Sequence, residues 1–349
     1  MDLSRARSAI VAESLTAPAV RPRRRGWRIA LIAIAVVLLV GGAVAAYAWS
    51  LSSTFDGQTV KIPQVFPDEA SRPPAAQTGE AARGQNILLL GSDTRGSIEG
   101  SIADLTGQRS DTIMVVHVPA NRKNIYVMSI MRDSWIAIPG HGEAKINAAM
   151  SYGGVPFAVQ TIEGLLGARI DHVAIVDFTG FKGVTDALGG VDVDNPIGFD
   201  TGGEHFAQGV HRLNGTEALA FVRERHAFAD GDFQRARNQQ SFIKAVLGKT
   251  LTAETLTNPG KISGLVGAVA PYLAVDDKLN AAYVAGLAVE LRDVRVGNVT
   301  FFTMPTKGTG TSPDGQSIVV IDQDKLKAVQ QGFQTDTLDA YQPEVQTIG

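Results

Sequence analysis

The fold is decided by the stretch Asn86-Ile87-Leu88-Leu89-Leu90-Gly91-Ser92-Asp93-Thr94-Arg95. Its apolar run ends at Gly91, which is typical of a strand that is buried on both faces of a sheet. Polar residues follow at once. In α/β proteins the loops at strand ends carry functional side chains, because the rigid sheet holds those loops in place. The stretch therefore predicts a central strand that leads directly into a site.

Strands and helices alternate along the chain on both sides of this stretch. We expect a hairpin from residues 112–118 and 125–131, further strands at 172–178, 191–193 and 299–302, and helices at 156–166, 179–188, 214–221, 233–250 and 324–333, with helical stretches continuing to about 291. Hairpins mixed with crossovers predict an α/β fold, in which a mixed central sheet is sandwiched by helices in an α/β/α arrangement. No shift of composition divides residues 84–335, which we interpret as one domain.

The amino-terminal region has the pattern of a membrane anchor. Residues 1–28 contain seven arginines and only two acidic residues, and residues 29–49 carry no charge. About 20 apolar residues can span a bilayer, and the positive residues keep the amino terminus in the cytoplasm. We therefore predict a cytoplasmic tail, a single-pass transmembrane helix at 29–49 in the cell membrane, a proline-rich stalk at 50–83, an extracytoplasmic domain at 84–335 and a tail at 336–349. A cleaved signal peptide is the alternative, because Ala46-Tyr47-Ala48 resembles a cleavage site.

Composition excludes several classes of function. The chain has no cysteine, so disulfides, zinc–thiolate sites and cysteine nucleophiles are excluded. Outside the basic tail the acidic residues outnumber the basic ones, which argues against a nucleic-acid partner. The six histidines have no helical spacing typical of metal ligands.

Two aspartates at the ends of predicted strands are candidate metal ligands. Asp93 follows the first strand and Asp111 precedes the second. Carboxylate oxygens are ligands that Mg²⁺ prefers, so a pair brought together here would suit that ion. The alternative is that both are turn residues whose side chains bond to their own backbone.

A second candidate site lies between residues 221 and 240, where arginines are dense. Arg223 and Arg225 are two residues apart and would point to one side of an extended segment. Arg235 and Gln239 share a helix face, and Asp232 stands near the start of that helix. Such a pocket would suit phosphate or pyrophosphate, because guanidinium groups bind phosphate oxygens bidentately. The alternative is a network of ion pairs on a solvated helix.

These motifs, in this order, resemble the LytR–CpsA–Psr family of bacterial cell-wall proteins over about residues 84–335. The matching stretches are 86–95, 109–112, 128–133, 145–149, 177–178 with 188–191, and 221–240. The resemblance implies a phosphotransferase that moves a glycopolymer from a polyprenyl-pyrophosphate carrier to peptidoglycan outside the membrane, with Mg²⁺, or Mn²⁺ in its place. The alternatives are a polyprenyl-pyrophosphate hydrolase and a non-catalytic protein that binds the lipid pyrophosphate.

The resemblance also implies roles for individual residues. It assigns metal binding to Asp93 and Asp111, catalysis to Arg132, Arg223, Arg225 and Asp232, and pyrophosphate binding to Arg95, Arg109, Lys145, Arg235 and Gln239. The sequence departs from the family where Met131 replaces a frequent proline. It departs again at Arg237, which is displaced by one place, so we assign Arg237 no role. The family further implies an apolar groove for the lipid, opening at the arginine cluster.

Overall fold

The structure is a computed structural model that describes residues 41–43, 45–75, 79, 83–92 and 110–341. Its contacts divide the chain into two units, Met1–Trp49 and Ser50–Gly349. The strands are β1 (Val60–Ile62), β2 (Gln85–Ser92), β3 (Thr112–Val118), β4 (Ile125–Ile130), β5 (Trp135–Ile138), β6 (Gly142–Lys145), β7 (His172–Asp177), β8 (Val191–Asn195), β9 (Phe199–Thr201), β10 (Glu204–Phe206), β11 (Gly209–Leu213), β12 (Leu273–Asp276), β13 (Val299–Thr303), β14 (Thr306–Thr311) and β15 (Ser317–Ile321). The helices are α1 (residues 45–58), α2 (Ala148–Leu166), α3 (Phe178–Ala187), α4 (Gly215–Arg223), α5 (Asp232–Thr250), α6 (Ala253–Leu256), α7 (Pro259–Val269), α8 (Ala281–Glu290) and α9 (Gln323–Thr335).

The second unit is built on a seven-stranded sheet of order β1-β12-β7-β2-β3-β4-β13. Strand β2 pairs in parallel with β7 and antiparallel with β3, and β3 pairs antiparallel with β4. The sheet is therefore mixed, as predicted. Because β2 and β4 both run antiparallel to β3, their carboxyl ends lie beside the start of β3, at the same end of the strands. The candidate site lies at that end.

Helices cover both faces of this sheet. The alternation of side chains along β2 sends Leu88 and Leu90 into a core that they share with α2 and α9. Leu89 points the other way, into clusters that include residues of α5, α7 and α8. Both faces are thus buried, which explains the continuous apolar run in the sequence. The predicted three-layer α/β/α arrangement is confirmed.

Local sequence signals fix the two helices that flank the site. Asn214 caps α4 by accepting hydrogen bonds from the backbone of Thr216 and Glu217, and the Glu217 side chain accepts one in return from the Asn214 backbone. This capping box confirms the predicted helix start. Helix α5 begins at Asp232, directly after Gly231, whose positive φ of 49° turns the chain into the helix. A carboxylate in the first turn is favoured by the helix dipole.

The segment predicted as a stalk contributes to the folded unit, so the prediction is wrong for residues 55–73. Strand β1 adds an edge to the sheet by pairing in parallel with β12. The guanidinium of Arg72 binds Glu163, whose side chain is fully buried, with Nε 3.0 Å and Nη2 2.5 Å from Oε1. A buried carboxylate needs such a partner, so the segment is part of the domain's core.

Several short strands differ from the sequence prediction. Strand β12 lies in a region predicted as helical, because four residues between helices carry too little periodicity to be recognised. The hairpins β5–β6, β9–β10 and β14–β15 were also not predicted. Helix α2 begins eight residues earlier than expected and kinks at Gly153 and Gly154, whose backbone angles are not helical.

Among the described residues, no helix has the length and apolar character needed to cross a bilayer. Most of the predicted span at 29–49 falls outside those residues, as do the tail at 1–28 and residues 342–349.

Candidate active site

Arg132 is the centre of the site. It follows β4, and its guanidinium lies between two carboxylates: Nη1 is 2.5 Å from Asp111 Oδ1, and Nε is 2.9 Å from Asp232 Oδ2. Asp111 is held at the start of β3 by a hydrogen bond from its backbone nitrogen to the Gly91 carbonyl at the end of β2. The guanidinium of Arg132 thus links the start of β3, through Asp111, to the start of α5, through Asp232.

Two more arginines approach Asp232 from the other side. Arg235 lies one turn along α5, with Nη2 3.3 Å from Asp232 Oδ1, and Arg225 Nη1 is 3.8 Å from the same oxygen. Arg235 is only 8% exposed. The Asp232 Oδ1 atom is buried and accepts no hydrogen bond from the described residues. Three guanidinium groups therefore converge on one carboxylate, an arrangement that suits the oxygens of an incoming anion.

Burial and neighbouring charge oppose each other at these groups. Burial alone would raise the pKa of Asp232, but the charges of Arg235 and Arg132 outweigh it and hold that pKa below its usual range. Burial likewise disfavours the charge on Arg132, but Asp232, Asp111 and Asp133 outweigh it and raise the Arg132 pKa. At Arg235 burial is the larger effect, and the pKa is lowered. The site holds its charges by mutual pairing.

Lys145 extends the cluster through a carboxylate that the sequence reasoning did not assign. Its Nζ lies 3.2 Å from Asp133 Oδ1, and Asp133 Oδ2 lies 3.6 Å from Arg132 Nε. The two residues meet because β5 and β6 form a hairpin that returns the chain to the end of β4. The position of Asp133 at a strand end, next to Arg132, could have identified it as a site residue. The sequence alone, however, does not show which cation its carboxylate binds.

The structure brings together Asp111, Arg132, Lys145, Arg225, Asp232 and Arg235, six of the eleven predicted site residues. Gln239 lines the same small void as Asp111 and Arg132, and its Nε2 lies 3.4 Å from the Val222 carbonyl. Arg235 and Gln239 share a face of α5, as predicted.

The predicted arrangement of Arg223 and Arg225 is wrong in one respect. Arg223 is the last residue of α4 and is exposed, and extended backbone begins only at Glu224. The two arginines therefore do not lie on one extended segment. Asp93, Arg95 and Arg109 fall outside the described residues.

Among the described residues, no group of three or more histidine or acidic side chains is arranged to hold a metal ion. The chemistry of Asp111 nevertheless fits Mg²⁺, which is often bound through only one or two carboxylates and keeps several waters. Its side chain is 30% exposed, and its contact with Arg132 occupies Oδ1. Oδ1 of Asp232 is a second carboxylate oxygen, and it accepts no hydrogen bond from the described residues.

The void beside the cluster is small. It has a volume of about 10 Å³ and is lined by Asp111, Arg132, Asp232, Arg235 and apolar residues of β3 and β4. Such a volume holds about one water. The apolar groove that the family resemblance implies stays a prediction, since residues 93–109 lie outside the described residues.

Comparison with known proteins places this geometry in context. The model of the LytR_cpsA_psr family matches residues 53–335. The cell wall biosynthesis protein LcpA of Corynebacterium glutamicum is 33% identical over 295 residues, which cover 72% of this chain and 56% of that protein. The chain thus spans little more than half the length of this relative. The polyisoprenyl-teichoic acid–peptidoglycan teichoic acid transferase TagU of Bacillus anthracis is 34% identical over 66% of this chain and 74% of its own length.

Solved structures show the same fold. TagV of B. subtilis superposes with a TM-score of 0.61 at 28% identity, covering 75% of this chain and 99% of TagV. TagT bound to LI-WTA superposes with a TM-score of 0.57 at 26% identity, covering 78% of this chain and 98% of that structure.

Proposed function

The chain belongs to the LytR–CpsA–Psr family, and from that premise we propose that it is a phosphotransferase that moves a glycopolymer from a polyprenyl-pyrophosphate carrier to peptidoglycan. The observation that carries the proposal is the convergence of Arg132, Arg225 and Arg235 on Asp232 at the edge of the sheet. Catalysis of phosphoryl transfer consists largely of positioning and charge stabilisation, which such a cluster supplies. Outside residues 1–28 the acidic residues outnumber the basic ones, so this local group of guanidiniums differs in charge from the rest of the domain.

The proposed reaction breaks the phosphoanhydride bond of the pyrophosphate and forms a phosphoester bond to the acceptor. The pyrophosphate oxygens take the place of carboxylates on the arginines and on Lys145. A sugar hydroxyl of peptidoglycan attacks the phosphorus that carries the glycopolymer, a new O–P bond forms, and polyprenyl phosphate leaves. The hydroxyl proton passes to a carboxylate. Arg95, Arg109, Arg223 and Gln239 complete the proposed binding site for the substrate.

Asp232 is a weak proton acceptor in this state, because the guanidiniums that surround it depress its pKa. We therefore assign Asp232 to holding Arg132 and Arg235 in position. We further propose that Asp93 and Asp111 hold Mg²⁺, or Mn²⁺ in its place. When bound, the ion would neutralise charge on the pyrophosphate.

We also propose that residues 29–49 anchor the enzyme in the cell membrane, with the amino terminus in the cytoplasm and the catalytic domain outside. A phosphatase reporter fused after residue 50 should then be active outside the cell. Activity only of a cytoplasmic reporter at that position would contradict this topology.

Product analysis tests the proposed reaction. The purified full chain is incubated with a lipid-linked glycan donor, peptidoglycan fragments and Mg²⁺, and the products are identified by mass spectrometry. We expect glycan joined to the fragments through a phosphodiester. Release of glycan phosphate without transfer would identify a hydrolase instead. Tight donor binding without any product would identify a binding protein.

A further inference from the structure

The outer face of the β5–β6 hairpin carries an aromatic ring next to the proposed reaction centre. Trp135 and Lys145 are directly opposed residues of the two strands, and Lys145 in turn binds Asp133 beside Arg132. Opposed side chains of an antiparallel pair have Cβ atoms about 4.5–5.5 Å apart. Trp135 is therefore adjacent to Lys145, the outermost cation of the cluster.

This face of the hairpin is separate from the core. Ile136 and Ile138 point inward and are 6% and 2% exposed, so Trp135 and Ala137 point outward. Glu143 is opposed to Ala137, is exposed, and accepts a hydrogen bond from Trp135 Nε1 at 3.2 Å. The small side chain of Ala137 leaves the surface beside the indole open. The indole itself is half-buried and is fixed in orientation by Glu143.

We propose that Trp135 and Glu143 form a subsite for a sugar ring of the acceptor glycan strand. This inference rests on the proposed function, which requires a sugar hydroxyl to reach the phosphorus held by the arginines. The C–H face of a pyranose packs against an indole, while its hydroxyls require hydrogen-bond acceptors such as a carboxylate. Lys145 pairs with Asp133, so the carboxylate of Glu143 is the charge beside the indole that disfavours an anionic polymer.

Tryptophan fluorescence provides a direct test. The chain has three tryptophans, at positions 27, 49 and 135, so the full chain carrying Trp27→Phe and Trp49→Phe reports on Trp135 alone. We expect disaccharide–peptide fragments released from peptidoglycan by a muramidase to change this emission in a saturable manner. Wall glycopolymer released by mild acid is the second probe. No response to the fragments, or a response to the glycopolymer alone, would overturn the proposal.

Calorimetric titration of the full chain with the same fragments measures the contribution of each side chain. Trp135→Ala should weaken binding about 10-fold, which corresponds to about 1.4 kcal/mol. Trp135→Phe, which keeps a ring, should weaken it less and covers the case in which the alanine variant does not fold. Glu143→Gln should also weaken binding.

Tyr152→Ala is the matched control. Tyr152 is an aromatic residue on α2 that is 45% exposed, and its ring stacks on that of His141, in the turn of the hairpin, with centroids 4.1 Å apart. We expect the affinity of the Tyr152→Ala variant for the fragments to be within about twofold of that of the parent chain. Wild-type affinity in both Trp135 variants would refute the subsite. Because no lipid-linked donor is present, this failure is distinct from a failure of transfer, which would leave fragment binding intact.

Discussion

The charge of Asp232 should hold the ligand-free site together, and Asp232→Asn tests this. The substitution keeps the shape of the side chain but leaves Arg235, whose side chain is 10% exposed, without its ion pair at 3.3 Å. Arg132 keeps Asp111 and Asp133 as partners. Removing one partner of a buried pair costs about 3–5 kcal/mol. Arg132 remains compensated and the Arg225 side chain is 37% exposed, so we expect a loss at the lower end, about 3 kcal/mol.

Urea unfolding of the purified chain, followed by circular dichroism, measures this loss. Asp230→Asn is the matched control, because Asp230 lies two residues away and pairs with Arg237 with a side chain that is 44% exposed. An exposed pair contributes at most about 1 kcal/mol. Equal losses in the two variants, or a loss below 1 kcal/mol for Asp232→Asn, would refute the assignment of Asp232 as a buried counter-ion.

Inorganic pyrophosphate adds a second criterion. If its oxygens replace the Asp232 carboxylate on the arginines, it should stabilise the Asp232→Asn variant more than the parent chain. A ligand at 100 times its dissociation constant stabilises by about 2.7 kcal/mol, so nearly all of the expected loss is recoverable. Stabilisation that is the same in both proteins would show that pyrophosphate binds elsewhere.

Four further predictions concern pH, metal, geometry and the boundary of the domain. Because the folded pKa of Asp232 is depressed, its contribution to stability should be complete above its unfolded pKa of about 3.9 and be lost as pH falls through the folded value, so that the parent and Asp232→Asn curves converge in acid. Asp111→Asn should weaken Mg²⁺ binding in calorimetry and abolish metal-dependent transfer, whereas unchanged affinity would limit the role of Asp111 to its ion pair with Arg132. Arg225→Lys keeps the charge but loses the guanidinium fork, and should slow transfer about 10²-fold; a rate equal to that of arginine would show that charge alone suffices. Arg72→Ala should cost about 3–5 kcal/mol of unfolding free energy by leaving Glu163 unpaired, whereas a stalk residue would cost nothing measurable.

The sequence predicted those parts of the fold whose signals are local. Leu88 and Leu90 belong to a long apolar run, and Asn214 begins a helix with a capping box, so β2 and α4 were recognised without knowledge of their neighbours. Strand β14 was not recognised because its sequence, Thr306–Thr311, consists of threonine, glycine and one lysine and has no apolar face. Its pairing with β15 becomes evident only in three dimensions.

The same distinction applies to the site. Arg132 and Asp111 were predicted because they stand at strand ends, where the sheet positions side chains. The pairing of Asp133 with Lys145 depends on the β5–β6 hairpin, and the position of Trp135 depends on its register. Register is set by tertiary packing, so neither feature was accessible from residue spacing.

The near balance of charge in the cluster has a consequence for turnover. Among the described residues of the cluster, the cations are those of Arg132, Lys145, Arg225 and Arg235, and the carboxylates are those of Asp111, Asp133 and Asp232. After transfer, the carboxylates can reclaim the guanidiniums and displace the departing phosphate. They would act as internal exchangeable counter-ions, which prevent a strongly cationic pocket from retaining its own product.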